Sequence, residues 1–236
     1  MLEFKNLHIG YKKVLFEVKD LTLNSGQLVS VIGKNGTGKT TFLNTILGIN
    51  KPLQGTVKVS DRNIQELKRN ELVTLFSHVS SKFDGVNYLS VYDLIAMGRA
   101  PYTNMLNQLR EVDREIINSV IEKLNLTKLK DYSTSQISDG ERQIAIIGKA
   151  LAQQTKIIIL DEPTAFLDYT NRRKVIKLLK EIAVEQDKLI LISTHNIDLC
   201  IECSDLIIAV DDTKKSIILY QDKMDKSHLI EEVFGN

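Results

Sequence analysis

The sequence predicts an α/β protein, with a mostly parallel sheet core, an antiparallel β part near its N-terminus and an inserted helical subdomain. Three observations predict it. A glycine-rich turn, Gly33 to Thr40, separates an apolar run from a helical pattern. From Gly140 onward helical and strand patterns alternate, as parallel strands covered on both faces require. Between about Lys82 and Ser135 the strand signal fades and helical spacing replaces it.

In chain order, Leu2–Ile9 and Leu15–Leu23 read as two strands joined through a turn at Gly10-Tyr11. Leu28–Ile32 reads as a short buried strand, and Thr41–Leu47 as a helix with Phe42, Leu43, Ile46 and Leu47 on one side. Pro52-Leu53-Gln54-Gly55 is turn chemistry before a strand at Thr56–Val59. Glu71–Val79 begins helical and passes into a strand. Val91–Met97 and Arg114–Leu124 carry helical spacing. The helices Gly140–Gln153, Asn171–Val184 and Ile197–Glu202 then alternate with the strands Ile157–Leu160, Leu189–Ser193 and Leu206–Val210. Ser216–Tyr220 reads as an edge strand and Lys226–Phe234 as a short helix. The expected division is an α/β core of residues 1–81 and 154–236 and a helical subdomain of residues 82–153.

Gly33 to Thr40 fits the phosphate-loop pattern of Gly, four residues, then Gly-Lys-Thr. Backbone N–H groups and the positive helix end converge there on an anion. Gly33, Gly36 and Gly38 allow backbone close to a phosphate, Lys39 would reach the β- and γ-phosphates, and the Thr40 hydroxyl would ligate Mg²⁺.

The bulk composition excludes several classes. The 236 residues carry 31 basic and 30 acidic side chains, a net charge of +1. That leaves no electrostatic footprint for nucleic acid. No apolar run can span a bilayer, and the first residues lack a signal peptide's apolar core. The expected location is the cytosol, or a membrane surface reached through a partner. Cys200 and Cys203 form a Cys-x-x-Cys with no second pair to complete a zinc site, and their apolar surroundings favour buried, reduced thiols.

Three further landmarks carry chemistry. The apolar strand Ile157–Leu160 ends in Asp161-Glu162, at the strand end where parallel sheets bind ligands. Asp161 would approach the Mg²⁺ at the phosphate loop and Glu162 would orient an attacking water. An acidic turn that solubilises a strand end is the plain alternative. Ile137-Ser138-Asp139-Gly140-Glu141-Arg142-Gln143 opens a helix, where Ser138 and the N–H groups beside Gly140 form a second anion site. An ordinary helix cap has the same residues. With one phosphate loop already complete, a spare anion-recognising helix start serves a neighbouring molecule. His195 follows a strand end at the same sheet edge as Asp161, in reach of a phosphate.

Together these motifs resemble those of ATP-binding cassette (ABC) ATPases of the P-loop NTPase class, over nearly the whole chain. Gly33–Thr40 resembles the Walker A motif, Ile157–Asp161 the Walker B motif, and Ile137–Glu141 (ISDGE) the LSGGQ signature. Thr164–Asp168 is similar to the D-loop. The resemblance makes Glu162 the catalytic glutamate, His195 the switch histidine and Tyr11 the aromatic stacked on adenine. It assigns Gly33, Asn35, Gly36, Thr37, Gly38, Lys39, Thr40 and Thr41 to the nucleotide in one chain, with Ser138, Gly140, Glu141 and Asp168 contributing around it. It implies ATP and Mg²⁺, a head-to-tail homodimer in which Ser138 and Gly140 reach the γ-phosphate in trans, and a transmembrane permease partner.

Val91–Tyr102 (VYDLIAMGRAPY) resembles a segment of importers for iron-siderophore, haem and cobalamin. That implies a stand-alone ATPase subunit, peripheral on the cytoplasmic face of the inner membrane, with an extracytoplasmic solute-binding protein as an indirect partner. The permease would dock near Ser81–Asn87. Three positions depart from the family pattern. Ser81 stands where a Q-loop glutamine ligates Mg²⁺ and would reach the metal through water. Asp139 and Glu141 replace a signature glycine and glutamine and add negative charge. A nucleotide-gated regulatory module with weak hydrolysis is the competing class. A soluble ABC protein acting on ribosomes or DNA is a third.

Overall fold

The computed structural model describes residues 1–81, 88–104, 108–221, 229–231, 233 and 235. The strands are β1 (Leu2–Gly10), β2 (Val14–Val18), β3 (Leu21–Leu23), β4 (Leu28–Ile32), β5 (Gln54–Val59), β6 (Arg62–Asn63), β7 (Phe76–Val79), β8 (Ile157–Asp161), β9 (Leu189–Ser193), β10 (Leu206–Asp211) and β11 (Ser216–Tyr220). The helices are α1 (Lys39–Ile46), α2 (Arg69–Leu75), α3 (Val91–Ala96), α4 (Glu111–Lys123), α5 (Asp139–Ala152), α6 (Tyr169–Glu185) and α7 (Ile197–Cys203). Short 3₁₀ turns cover Ile64–Glu66, Met97–Tyr102 and Thr127–Leu129.

The strands form one sheet in the order β6-β5-β1-β2-β11-β10-β4-β9-β8-β7, with β3 also on β1. From β10 to β7 every neighbouring pair is parallel. Strands β4, β8, β9 and β10 are buried at every residue, which explains their largely apolar sequences. Around β1 the pairing is antiparallel, with β2, β3 and β5 all running against it. One face of the parallel part carries α3, α4, α5 and α6 over a core including Leu28, Ile158, Leu160, Ile190 and Ile192. The other face packs on α1 through Phe42, Leu43 and Ile46, where the Phe42 ring meets Phe4 and Phe16.

Two expectations are corrected. Leu15–Leu23 is two strands, broken at Lys19-Asp20. The register is the same on both sides, Leu7 opposite Val18 and Leu2 opposite Leu23. The cause lies in β1, where Asn6 takes a left-handed φ of 45° and the pairing with β5 slips between Lys5 and His8. A bulge there interrupts the ladder for one step. Ser216–Tyr220 is not an edge strand. It pairs antiparallel with β10, and its first residue also meets β2, where the Glu17 N–H donates to the Lys215 carbonyl at 2.9 Å. It joins the antiparallel part to the parallel core. Strand β5 begins at Gln54, inside the expected turn, and α4 and α6 begin slightly earlier than their apolar spacing indicates. Residues 229–231 are helical, within the expected helix Lys226–Phe234, most of which lies outside the described residues. The expected docking segment Lys82–Asn87 also lies outside them.

Candidate functional site

The C-terminal ends of β4, β7, β8 and β9 point the same way, so the loops that follow them gather at one edge of the sheet. After β4 the chain turns through Gly33 to Gly38. Gly38 precedes α1 with a φ of 106°, and a side chain there would meet Leu15 at 2.9 Å. This geometry leaves the first N–H groups of α1 open to an anion. The Lys39 ammonium curls over the loop and donates to the carbonyls of Gly33 at 2.8 Å and Lys34 at 3.0 Å. Burial lowers its pKa, while the nearby Glu162 and Asp161 carboxylates act to raise it. Thr37 braces the same turn, its hydroxyl donating to the Lys34 carbonyl at 3.0 Å.

Asp161 ends β8 and is buried, 4% exposed. Its Oδ2 accepts from the Thr40 hydroxyl at 2.8 Å, and its Oδ1 accepts from the Ser193 hydroxyl at the end of β9. Glu162, the next residue, has a left-handed φ of 52°. Its N–H is held by Ser193, whose hydroxyl and carbonyl accept at 3.0 and 3.2 Å. Ser193 thus fixes both carboxylate residues. Sequence reading missed it, because a lone serine ending an apolar strand carries no signal of its own.

The Glu162 Oε1 atom is buried and accepts no aligned hydrogen bond. His195 Nε2 lies 2.8 Å from it without the alignment of a hydrogen bond. Burial raises the Glu162 pKa, Asp161 adds to the rise, and His195 and Lys39 oppose it. A part-buried carboxylate whose pKa is raised is suited to take a proton.

These groups line one cleft of about 450 Å³, with Tyr11, Leu15, Asn35, Gly36, Gly38, Lys39, Thr40, Thr41, Ser81, Asp161, Glu162 and His195 in its wall. Gly33 and Thr37 form the base of the loop. Tyr11 is 66% exposed at the rim, its hydroxyl accepting from the Asn50 amide at 3.2 Å. The donor set suits a hard cation. A threonine hydroxyl and a carboxylate stand in contact, while no group of three His, Cys, Asp or Glu converges among the described residues. Mg²⁺ takes such sites when substrate phosphates and water complete its shell.

Ser138, Gly140, Glu141 and Asp168 do not line this cleft. Ser138 caps α5, and its hydroxyl accepts from the Glu141 N–H at 3.2 Å. The Glu141 carboxylate accepts in return from the Ser138 N–H at 2.9 Å and hydroxyl at 2.8 Å. This capping box engages the Ser138 hydroxyl within its own helix start. Asp139 pairs with Arg142 at 2.8 Å on the exposed helix start. Gly140 packs on the D-loop, where an added side chain would lie 3.3 Å from Leu167. Asp168 caps α6, accepting from the Asn171 N–H at 2.8 Å. Cys200 and Cys203 are buried free thiols, and burial pushes the Cys200 thiol up to about 12.

Comparison with known proteins gives a consistent picture. The family described as ABC transporter matches residues 16–165. An uncharacterised ABC transporter ATP-binding protein of Methanocaldococcus jannaschii is 33% identical over 99% of this chain and 81% of its own length. A petrobactin import ATP-binding protein of Bacillus anthracis is 30% identical over 89% of this chain and 78% of its own. Among solved structures, an inward-facing metal-chelate type ABC transporter superposes with a TM-score of 0.84 at 27% identity, covering 98% of this chain and 87% of that one.

Proposed function

The chain belongs to the ABC transporter family of ATP-binding domains, and from that premise we propose that it hydrolyses ATP to energise uptake of a metal chelate through a partner permease. One observation carries the hydrolytic reading. The Glu162 carboxylate, half-buried and with its Oε1 atom shielded from solvent, shares a cleft with Lys39, Thr40 and Asp161.

In this reading Lys39 and the first N–H groups of α1 bind the ATP phosphates and offset their charge. Thr40 and Asp161 would hold Mg²⁺, with Ser81 reaching it through water, and the ion when bound would supply charge neutralisation to the phosphates. Glu162 orients the attacking water and accepts its proton, and His195, 2.8 Å away in the same cleft wall, stands in reach of the phosphate. Tyr11 offers its exposed ring to adenine. Ser138 and Gly140 serve the cleft of a second chain, head to tail, which fits their position outside this one. Residues 1–81 and 154–236 act as the core and 82–153 as the helical subdomain. The metal-chelate cargo is supported by the relative named for petrobactin import and the neighbour of metal-chelate type. An iron-siderophore, haem or cobalamin is the class we infer. The permease places the chain on the cytoplasmic membrane face, with a solute-binding protein acting on the other side. Among the described residues no helix is long and apolar enough to cross a membrane.

The test is affinity purification of the chain from its native membrane. Recovery of a multi-helix permease, and loss of chelate uptake on deleting either subunit, is the expected result. Recovery of the chain alone would overturn the transport role. The second reading, a regulatory module with weak hydrolysis, rests on Ser81 in the cleft wall in place of a longer glutamine. ATP turnover abolished by Lys39→Ala would eliminate it.

A further inference from the structure

The segment Gly98–Tyr102 was singled out by its sequence, yet nothing in the nucleotide cleft uses it. It lies against the far end of the helix that begins with Ser138. The last carbonyls of any α-helix lack partners within the helix. Here Arg99 and Tyr102 supply them. Arg99 Nη1 donates to the Ala152 carbonyl at 2.8 Å and to Gln154 Oε1 at 3.3 Å, and the Tyr102 hydroxyl donates to the Gln153 carbonyl at 2.9 Å. The guanidinium lies 4.2 Å from the centre of the Tyr102 ring. Its remaining edge faces Asp113, with Nε and Nη2 both 3.0 Å from Oδ1. The other oxygen of Asp113 accepts from the backbone N–H of Arg110 at 3.0 Å and from its Nε at 3.1 Å. Arg99 is 4% and Asp113 0% exposed. Gly98 brings the segment into backbone contact, since an added side chain would sit 2.2 Å from the Lys149 carbonyl.

The same helix end is tied to α2 and to the first residue of β7. The Gln153 side-chain amide donates to the carbonyls of Val73 at 2.6 Å and Phe76 at 3.0 Å. Helix α5 is therefore fixed at Ala152–Gln154 from two sides, while its first residue's cap, Ser138, is exposed. A buried ion pair adds little net stability over apolar packing of the same volume. The forked guanidinium adds direction, because its donors bind only when the partners stand in its plane.

We propose that Arg99, seconded by Tyr102, is a positioning residue that sets the direction in which α5 presents Ser138 and Gly140 to the partner chain. This rests on the head-to-tail reading above. The 14 residues of α5 span roughly 20 Å, so a tilt of about 5° at the clamped end moves Ser138 by about 2 Å. A misplacement of about 1 Å at a reacting centre is enough for a large loss of function.

The test uses full-length chain carrying Glu162→Gln, which retains bound ATP, with Arg99→Lys or Tyr102→Phe added. Dimerisation is followed by light scattering against ATP concentration, and nucleotide affinity of the monomer by a fluorescent ATP analogue. Arg99→Lys keeps the charge and loses the fork. It is expected to weaken dimerisation about tenfold, and Tyr102→Phe about threefold. Monomer affinity, set by the phosphate loop, stays within about twofold. Unchanged dimerisation in both variants overturns the proposal, even if their melting temperatures fall, because the cluster would then serve stability alone. If Arg99→Lys does not fold, Tyr102→Phe decides by the same readings. If the parent Glu162→Gln binds ATP and stays monomeric, the head-to-tail reading fails and this proposal falls with it. A parent that dimerises beside unaffected variants sinks the proposal alone.

Discussion

Glu162 and Lys39 sit 123 positions apart in the chain and exert opposite pulls on each other's protons across one cleft. Burial dominates for both, holding the lysine below and the glutamate above their ordinary values. For Glu162 the sign is definite. Only the ionised form accepts a proton from water, so turnover falls as pH drops through a pKa above 4.5. The acidic limb of the pH–rate profile is expected above that value. A limb at or below it would place the base elsewhere. Glu162→Gln keeps the shape and removes the proton acceptor, with an expected loss of at least about 100-fold in kcat while ATP still binds. The thiols give a contrasting expectation. With Cys200 raised to about 12 and both side chains buried, iodoacetamide should label neither thiol until the chain is unfolded. Rapid labelling of the native protein would contradict the packing around α7.

At the scale of elements, the parallel strands were legible because burial on both faces leaves runs such as Ile157–Leu160 almost without polar residues. The phosphate loop was legible because its glycines, lysine and threonine answer to one local geometry. What escaped depends on partners distant in sequence. The break before β3 follows from a bulge at Asn6 in a neighbouring strand. The place of β11 follows from β2 meeting its first residue. The role of Ser193 needs Asp161 beside it. The clamp around Asp113 makes its own prediction. Hydrogen bonds from Arg110, assisted by Arg99, hold the Asp113 pKa at about 2, below its ordinary 3.8. The ionised carboxylate is the stabilising form. Its contribution is complete above about pH 4 and is lost as pH falls toward 2. Acid titration of stability in wild type and Asp113→Asn should differ in that window. Asp113→Ala, which strands Arg99 without its partner, should cost about 3 kcal/mol in denaturant unfolding. A loss under about 0.5 kcal/mol, as for an ordinary surface change, would mean the pair is not buried in solution.

At the scale of the whole molecule, the sheet gathers Tyr11, the phosphate loop, Asp161, Glu162 and His195 on one cleft and leaves Ser138, Gly140 and Asp168 off it. On the proposed head-to-tail reading such a chain contributes to two sites, with ATP between the copies. Mixing a Ser138→Arg chain with a Glu162→Gln chain should therefore restore, in part, the hydrolysis that each lacks alone, since one of the two composite sites is then intact. No restoration would argue that each chain works by itself. The most direct measurement of the central claim is steady-state ATP hydrolysis by the intact chain with Mg²⁺, beside Lys39→Ala and Glu162→Gln. Turnover is expected in the wild type, none above background in Lys39→Ala, and bound but unhydrolysed ATP in Glu162→Gln. Wild-type turnover that survives both substitutions, or ATP bound by the wild type and never hydrolysed, would contradict it.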